Sequence, residues 1–175
     1  MTGDHGAAVA AAAAALQVGE AEAARRQLAT LVAEAPADGE AWYWWAAAQD
    51  TLGREATAIP AYREALRLGT THDVEAHAFL ASSLEKTWRP QEALSHIERA
   101  LASRPDDALF LTIMGNVAAA LGHRERAWDA YRRAAAADPP VGLAWHHWAQ
   151  WLGANGHWDE ASAAFDRAWD LGYRG

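Results

Sequence analysis

Apolar residues along this chain recur at spacings of three, four and seven, which places them on one face of a helix. The stretch 122–139 shows the pattern most clearly. Ala127, Tyr131 and Ala134 form one stripe, with Gly122 before it and Pro139 after it. The same stripe returns along the whole sequence. Ala24, Ala58, Ala93, Ala127 and Ala161 stand 34 or 35 residues apart. A second small position follows at Ala65, Ala100, Ala134 and Ala168, with Leu31 in the first copy. Between the two stands a large apolar residue: Leu28, Tyr62, Ile97, Tyr131 or Phe165. An upstream set repeats too, as Trp42, Trp45 and Ala46, then Leu111, Met114, Gly115 and Ala118, then Trp145, Trp148, Ala149 and Leu152. Each copy is therefore predicted to be helix, short turn, helix.

The residue types have physical causes. Alanine lets paired helices approach closely, and the large residue between the alanines fills the gap at the crossing. Glycines at Gly19, Gly53, Gly122 and Gly156 supply the positive φ that ends the first helix, and Trp88 stands there in the third copy. Pro36, Pro105 and Pro139 stop the second helix, because proline pushes the residue before it out of the α region. A period of this length signals a stacked-repeat architecture.

On these residues the chain resembles the tetratricopeptide repeat family. The resemblance implies an all-α, right-handed solenoid of about five antiparallel hairpins, at 5–38, 39–73, 74–107, 108–141 and 142–175, forming a single domain. Residues 1–6 are expected to be mobile. Residues 7–18 should be helical but carry almost no bulky apolar face, which suits an end cap. Four consecutive aromatics, Trp42 to Trp45 with Tyr43 among them, cannot all face one core. Pro60 lies about one turn into its helix and predicts a late start or a kink. Pro90 falls in a first turn and should be tolerated. Later helices are expected at 74–87, 90–103, 108–121, 124–137, 143–154 and 158–171. Trp169 and Leu171 then stand near an uncovered end, either as an interface between copies or folded back on their own repeat.

Composition narrows the function. The net charge is −8 and no basic run exceeds Arg132-Arg133, so phosphate neutralisation and nucleic-acid binding are not expected. The chain has no cysteine, hence no disulfide framework and no thiolate chemistry. The apolar run 7–16 follows Asp4 with no Lys or Arg before it, unlike a secretory signal. No segment has the ~20 strongly apolar residues of a membrane span, so a cytoplasmic protein is expected, with no membrane insertion. Alanine-rich, lysine-poor composition suggests a GC-rich bacterial genome. The eight histidines include no pair spaced to share one helix face, so no metal site is expected, and no cofactor. No serine-nucleophile motif or phosphate-cradling loop is present, and no enzyme is expected.

The resemblance also implies a site. In the family the first helices of successive repeats line a groove for a protein or peptide segment. By position, the groove residues are Glu40, Tyr43, Ala47 and Asp50, then Glu75, Ala78, Ser82 and Glu85, then Thr112, Asn116 and Ala119, then His146 and Gln150. The acids gather in the first half, opposed only by Lys86, and the second half is neutral. A partner with a basic and an apolar part is expected. Groove positions carry no Lys or Arg, so capture of an acidic C-terminus is not expected. The aromatics Tyr43 and Trp44 are expected to fill the repeat core; a cage for a small ammonium ligand beside Asp50 is the outside alternative. The alternatives are a self-assembling scaffold that uses Trp169 and Leu171 to form a homo-oligomer, and a chaperone for a secreted or membrane-bound client.

Overall fold

The computed structural model describes residues 2–138 and 140–174, with side chains from Asp4 onward. Pro139, expected to end a helix, lies outside the described residues. The chain divides into two compact units, Met1–Arg89 and Pro90–Gly175. The first unit holds α1 (Thr2–Gln17), α2 (Ala21–Glu34), α3 (Gly39–Thr51), α4 (Glu55–Leu68) and α5 (Asp73–Lys86). The second holds α6 (Pro90–Ser103), α7 (Ala108–Ala120), α8 (Arg124–Ala135), α9 (Gly142–Ala154) and α10 (Trp158–Asp170). Later helix bounds agree with the sequence expectation to within two residues. Residues 2–6 are the first turns of α1, and His5 Nε2 lies 3.0 Å from Asp38 Oδ2.

Within each unit every helix packs on its sequence neighbour. The first helices of the hairpins also touch each other, α1 with α3, α3 with α5, and α7 with α9. Each second helix packs through the alanine stripe. Ala24, Ala58, Ala93, Ala127 and Ala161 are all buried, as are Ala65, Ala100, Ala134 and Ala168. The large residues between them, Leu28, Tyr62, Ile97 and Tyr131, are buried too, whereas Phe165 on α10 is 41% exposed. Apolar burial of such side chains stabilises the fold by about 1.5–3 kcal/mol each.

The turns follow their chemistry. Gly19, Gly53, Gly122 and Gly156 have φ between 68° and 90°. Trp88 takes the same left-handed turn at φ 61° and is 90% exposed, so the ring gains no packing for its strained backbone. Two aspartates not singled out from sequence cap helices. Asp38 Oδ1 accepts from Glu40 N at 2.9 Å, and Asp107 Oδ1 accepts from Leu109 N at 3.0 Å. The late start expected at Pro60 does not occur: α4 begins at Glu55 and runs through the proline. Buried Ala58, Ile59, Ala61 and Tyr62 hold that segment helical on both sides of it.

Gly115 shows the crossing at its tightest. Ala46, Ala81 and Ala149 fill this register in other copies and are buried. At Gly115 a Cβ would overlap the Tyr131 ring, whose hydroxyl donates to Asn116 Oδ1 at 2.6 Å. Gly115→Ala should therefore lower unfolding free energy by about 1–2 kcal/mol in urea titration; an unchanged midpoint would show that the ring relaxes freely. Trp88→Gly should act oppositely. Relief of the left-handed strain outweighs the added chain entropy, and the midpoint should rise by roughly 0.5–1 kcal/mol with unchanged slope.

Candidate functional site

The faces of α3 and α5 in the first unit, and of α7 and α9 in the second, carry the residues expected to meet a partner. Packing divides them. Tyr43, Ala78 and Thr112 are buried and are withdrawn as contact residues. Tyr43 points into the layer because its ring stacks on His72 at 4.4 Å and reaches Tyr62 at 6.1 Å. Thr112 spends its hydroxyl on Ala108 O at 2.8 Å. Trp44 also meets His72, at 5.0 Å, so the protein's own imidazole stands against both rings. Trp42, Trp44 and Trp45 are half-buried against the core of the first unit.

Glu40 is a structural clasp. Its Oε1 accepts from Thr70 Oγ1 at 2.9 Å and from the Thr71 amide, and its Oε2 lies 2.9 Å from His72 Nδ1. Burial pushes the Glu40 carboxyl up, but the bonds from Thr71, Thr70 and His72 outweigh it and hold the group below its ordinary value. Thr70, which stands where other copies have proline, is what ties the α4–α5 loop to the start of α3.

Asp50 and Glu85 behave differently. Asp50 Oδ1 accepts from Ser83 Oγ at 3.0 Å and lies 3.8 Å from Lys86 Nζ. Lys86 Nζ is nearer to Glu55 Oε1, at 3.4 Å. Burial raises the Asp50 carboxyl above its ordinary value despite Lys86 and Ser83. Burial also raises Glu85, with Lys86 pulling the other way. The single exposed ammonium serves Asp50 and Glu55 and leaves the half-buried acids short of positive charge. Tyr62 beneath them is pushed well up by burial and by the Asp50 charge. Ala47, Glu75 and Ser82 are half-buried on the same two helices.

In the second unit Asn116, Ala119 and His146 are half-buried and Gln150 is exposed. Asn116 accepts the Tyr131 hydroxyl on its carbonyl oxygen. His146 lies 5.5 Å from Phe165 and 4.7 Å from Tyr173. Burial lowers the His147 imidazole below its ordinary value, with His146 adding to the effect. Leu171 folds back in part, lying against Gly142 at the start of α9. Trp169 does not: it is 60% exposed, with the Arg174 guanidinium over its ring at 4.0 Å. Trp158 is 71% exposed at the other end of α10, a position sequence reasoning missed although it stands eleven residues before Trp169 on the same helix face. A cleft of about 330 Å³ between α6, α7 and α8 has Leu101, Leu111, Met114 and Ala130 on its walls. Its arginines are already paired, Arg126 with Glu98 at 2.6 Å and Arg133 with Asp106 at 3.1 Å. Among the described residues no three His, Asp or Glu side chains converge on a cation position, and no helix is long and apolar enough to cross a membrane.

Helical hairpins in a fixed register, with polar side chains spread along first-helix faces, define a repeat protein with the fold of a protein-interaction module. A family model for the tetratrico peptide repeat matches residues 39–137. The chain belongs to the tetratricopeptide repeat family. No curated protein matches it in sequence. Among solved structures it is similar to residues 41 to the end of MamA from Desulfovibrio magneticus RS-1. The TM-score is 0.75 at 22% identity, over 95% of this chain and 94% of that one. It is similar to TTC0263, a thermophilic TPR protein of Thermus thermophilus, with TM-score 0.80 at 22% identity over 96% and 91%. It is also similar to YrrB, described as a TPR protein with an unusual peptide-binding site, with TM-score 0.67 at 20% identity over 92% and 82%. At these identities the likeness establishes the fold.

The raised Asp50 carboxyl has a measurable consequence. The folded protein holds that proton to a higher pH than the unfolded chain, so ionisation weakens folding. Stability should fall as pH rises from the ordinary aspartate value through the raised one. Asp50→Asn keeps an acceptor for Ser83 and removes the charge. It should raise stability at pH 7 by about 0.5–1 kcal/mol, and the gain should vanish at acid pH; a loss at pH 7 would mean that Lys86 outweighs burial.

Proposed function

We propose that this protein is a non-catalytic interaction module that holds a segment of a partner protein on its first-helix faces. The observation that carries this reading is the pair Asp50 and Glu85. Each is half-buried on a separate helix of one unit, each is raised by burial, and the nearby ammonium of Lys86 is shared with Glu55. Charge kept in a poorly solvated place at a cost to folding is what a recognition surface requires. A Lys or Arg side chain from a partner supplies the missing countercharge, so the first unit takes a basic stretch. In the second unit Asn116, Ala119, His146 and Gln150 offer amides, an imidazole and a small apolar surface, which suit a mildly polar or apolar stretch. The similarity to YrrB, with its unusual peptide-binding site, agrees with this use of the fold. The proposed place of action is the cytoplasm.

Capture from source-cell lysate, with intact protein beside Asp50→Asn/Glu85→Gln, tests the reading. The partner held by the intact protein should be lost or held at least about 10-fold more weakly by the double variant. Its capture should also weaken from low to high salt. Equal capture by both proteins, or capture indifferent to salt, would remove the acid pair from the site.

A further inference from the structure

The start of α8 and the α9–α10 turn border a cleft of about 290 Å³. Arg124, Glu125 and Trp128 line it from α8, and Trp151, Asn155 and His157 line it from α9 and the turn. Its size is at the lower end for small-ligand sites, which begin at about 300 Å³. Both indoles are half-buried, so part of each remains open to solvent. Ring contacts hold them in place: Trp128 meets Trp148 at 4.6 Å and His157 at 5.2 Å, and Trp151 meets Tyr131 at 5.7 Å. The repeat does not require indoles here. In the first unit the same registers carry Ile59 and Ser83, and both are buried. Stacked hairpins thus pack at this position without an aromatic, and the two indoles exceed what the fold needs.

The charges at the cleft are not neutralised within the protein. Arg124 and Glu125 are exposed neighbours in the first turn of α8, where successive side chains diverge by about 100°. They do not pair with each other. The Arg124 guanidinium donates to the neutral Asn155 carbonyl oxygen, and Glu125 meets no donor among the described residues. Asn155 is fixed in that orientation, because its Nδ2 donates to Trp151 O at 2.8 Å. His157 is turned to Glu160, with its Nδ1 3.2 Å from Glu160 Oε1. A purely cationic ligand would be repelled by Arg124, and a purely anionic one by Glu125. A ligand that carries both charges close together meets both, and a ring beside them can lie against the indoles.

We propose that this cleft binds a free α-amino acid with an aromatic side chain. Its carboxylate takes the Arg124 guanidinium, its ammonium takes the Glu125 carboxylate, and its ring packs against Trp128 and Trp151. An aromatic residue within a peptide has neither terminal charge and does not satisfy the pair. The cleft uses neither Asp50 nor Glu85, and the inference stands independently of the partner segment proposed above.

Titration of the intact protein with L-phenylalanine tests this, read by calorimetry and by the indole N–H signals of nitrogen-labelled protein. The Trp128 and Trp151 signals should shift, and those of Trp42, Trp45 and Trp88 in the first unit should stay. Arg124→Gln and Glu125→Gln, both at exposed positions, should each weaken binding at least about 10-fold, the loss expected for a charge-assisted bond. N-acetyl-L-phenylalanine has no ammonium; it should bind the intact protein more weakly and lose nothing further in Glu125→Gln. L-phenylalaninamide has no carboxylate and should lose nothing further in Arg124→Gln. No shift of the two indole signals at about 10 mM phenylalanine would overturn the inference. So would equal binding of all three compounds, which would show a cleft that reads the ring alone.

Discussion

Close approach of helices through small residues is the constraint on which this structure depends. Two helices cross tightly only where Cβ atoms are few, and the buried alanines at Ala24, Ala58, Ala93, Ala127 and Ala161 provide those crossings. A tight crossing leaves room beside it for one large side chain, and Leu28, Tyr62, Ile97 and Tyr131 take that room. Those side chains reach the following hairpin or the core of their own, so each copy relies on neighbours for its apolar burial. The same geometry decides which side chains stay available. On a first helix, positions aimed at the crossing vanish into it, as Tyr43, Ala78 and Thr112 do, while the adjacent ones remain half-buried at the surface.

That half-burial gives the acids their character. A fully exposed carboxylate is solvated and screened, and a fully buried one must find a partner. Glu40 meets its need internally, through Thr70, Thr71 and His72, and serves the fold. Asp50 and Glu85 sit in the intermediate regime, desolvated without full compensation. Neighbouring residues of one type on one layer thus differ in how fully nearby donors compensate their burial.

Much of the fold was legible in the sequence, because spacing and residue size fix helix identity, turn position and hairpin order. The turn glycines, the alanine crossings and the first-turn Pro90 were readable from local chemistry alone. The late start expected at Pro60 does not occur, because the buried Ile59 and Tyr62 hold that turn helical against a local rule. The candidate site was less legible. Repeat position selects a helix face, but it does not say that the Tyr131 hydroxyl takes the Asn116 carbonyl, or that a threonine in place of a loop proline engages Glu40. Those contacts join residues 15 and 30 positions apart, and side-chain reach across a loop has no periodic signature.

The central claim is that Asp50 and Glu85 form an under-compensated acid pair suited to a basic partner. Side-chain carboxyl chemical shifts, followed through a pH titration by NMR, read this directly. Both groups should titrate above their ordinary values in the free protein and move downward when a lysine- and arginine-bearing partner segment is added. Titration at or below the ordinary values in the free protein would mean that Lys86 already satisfies them, and the account of this face as a recognition surface would be contradicted.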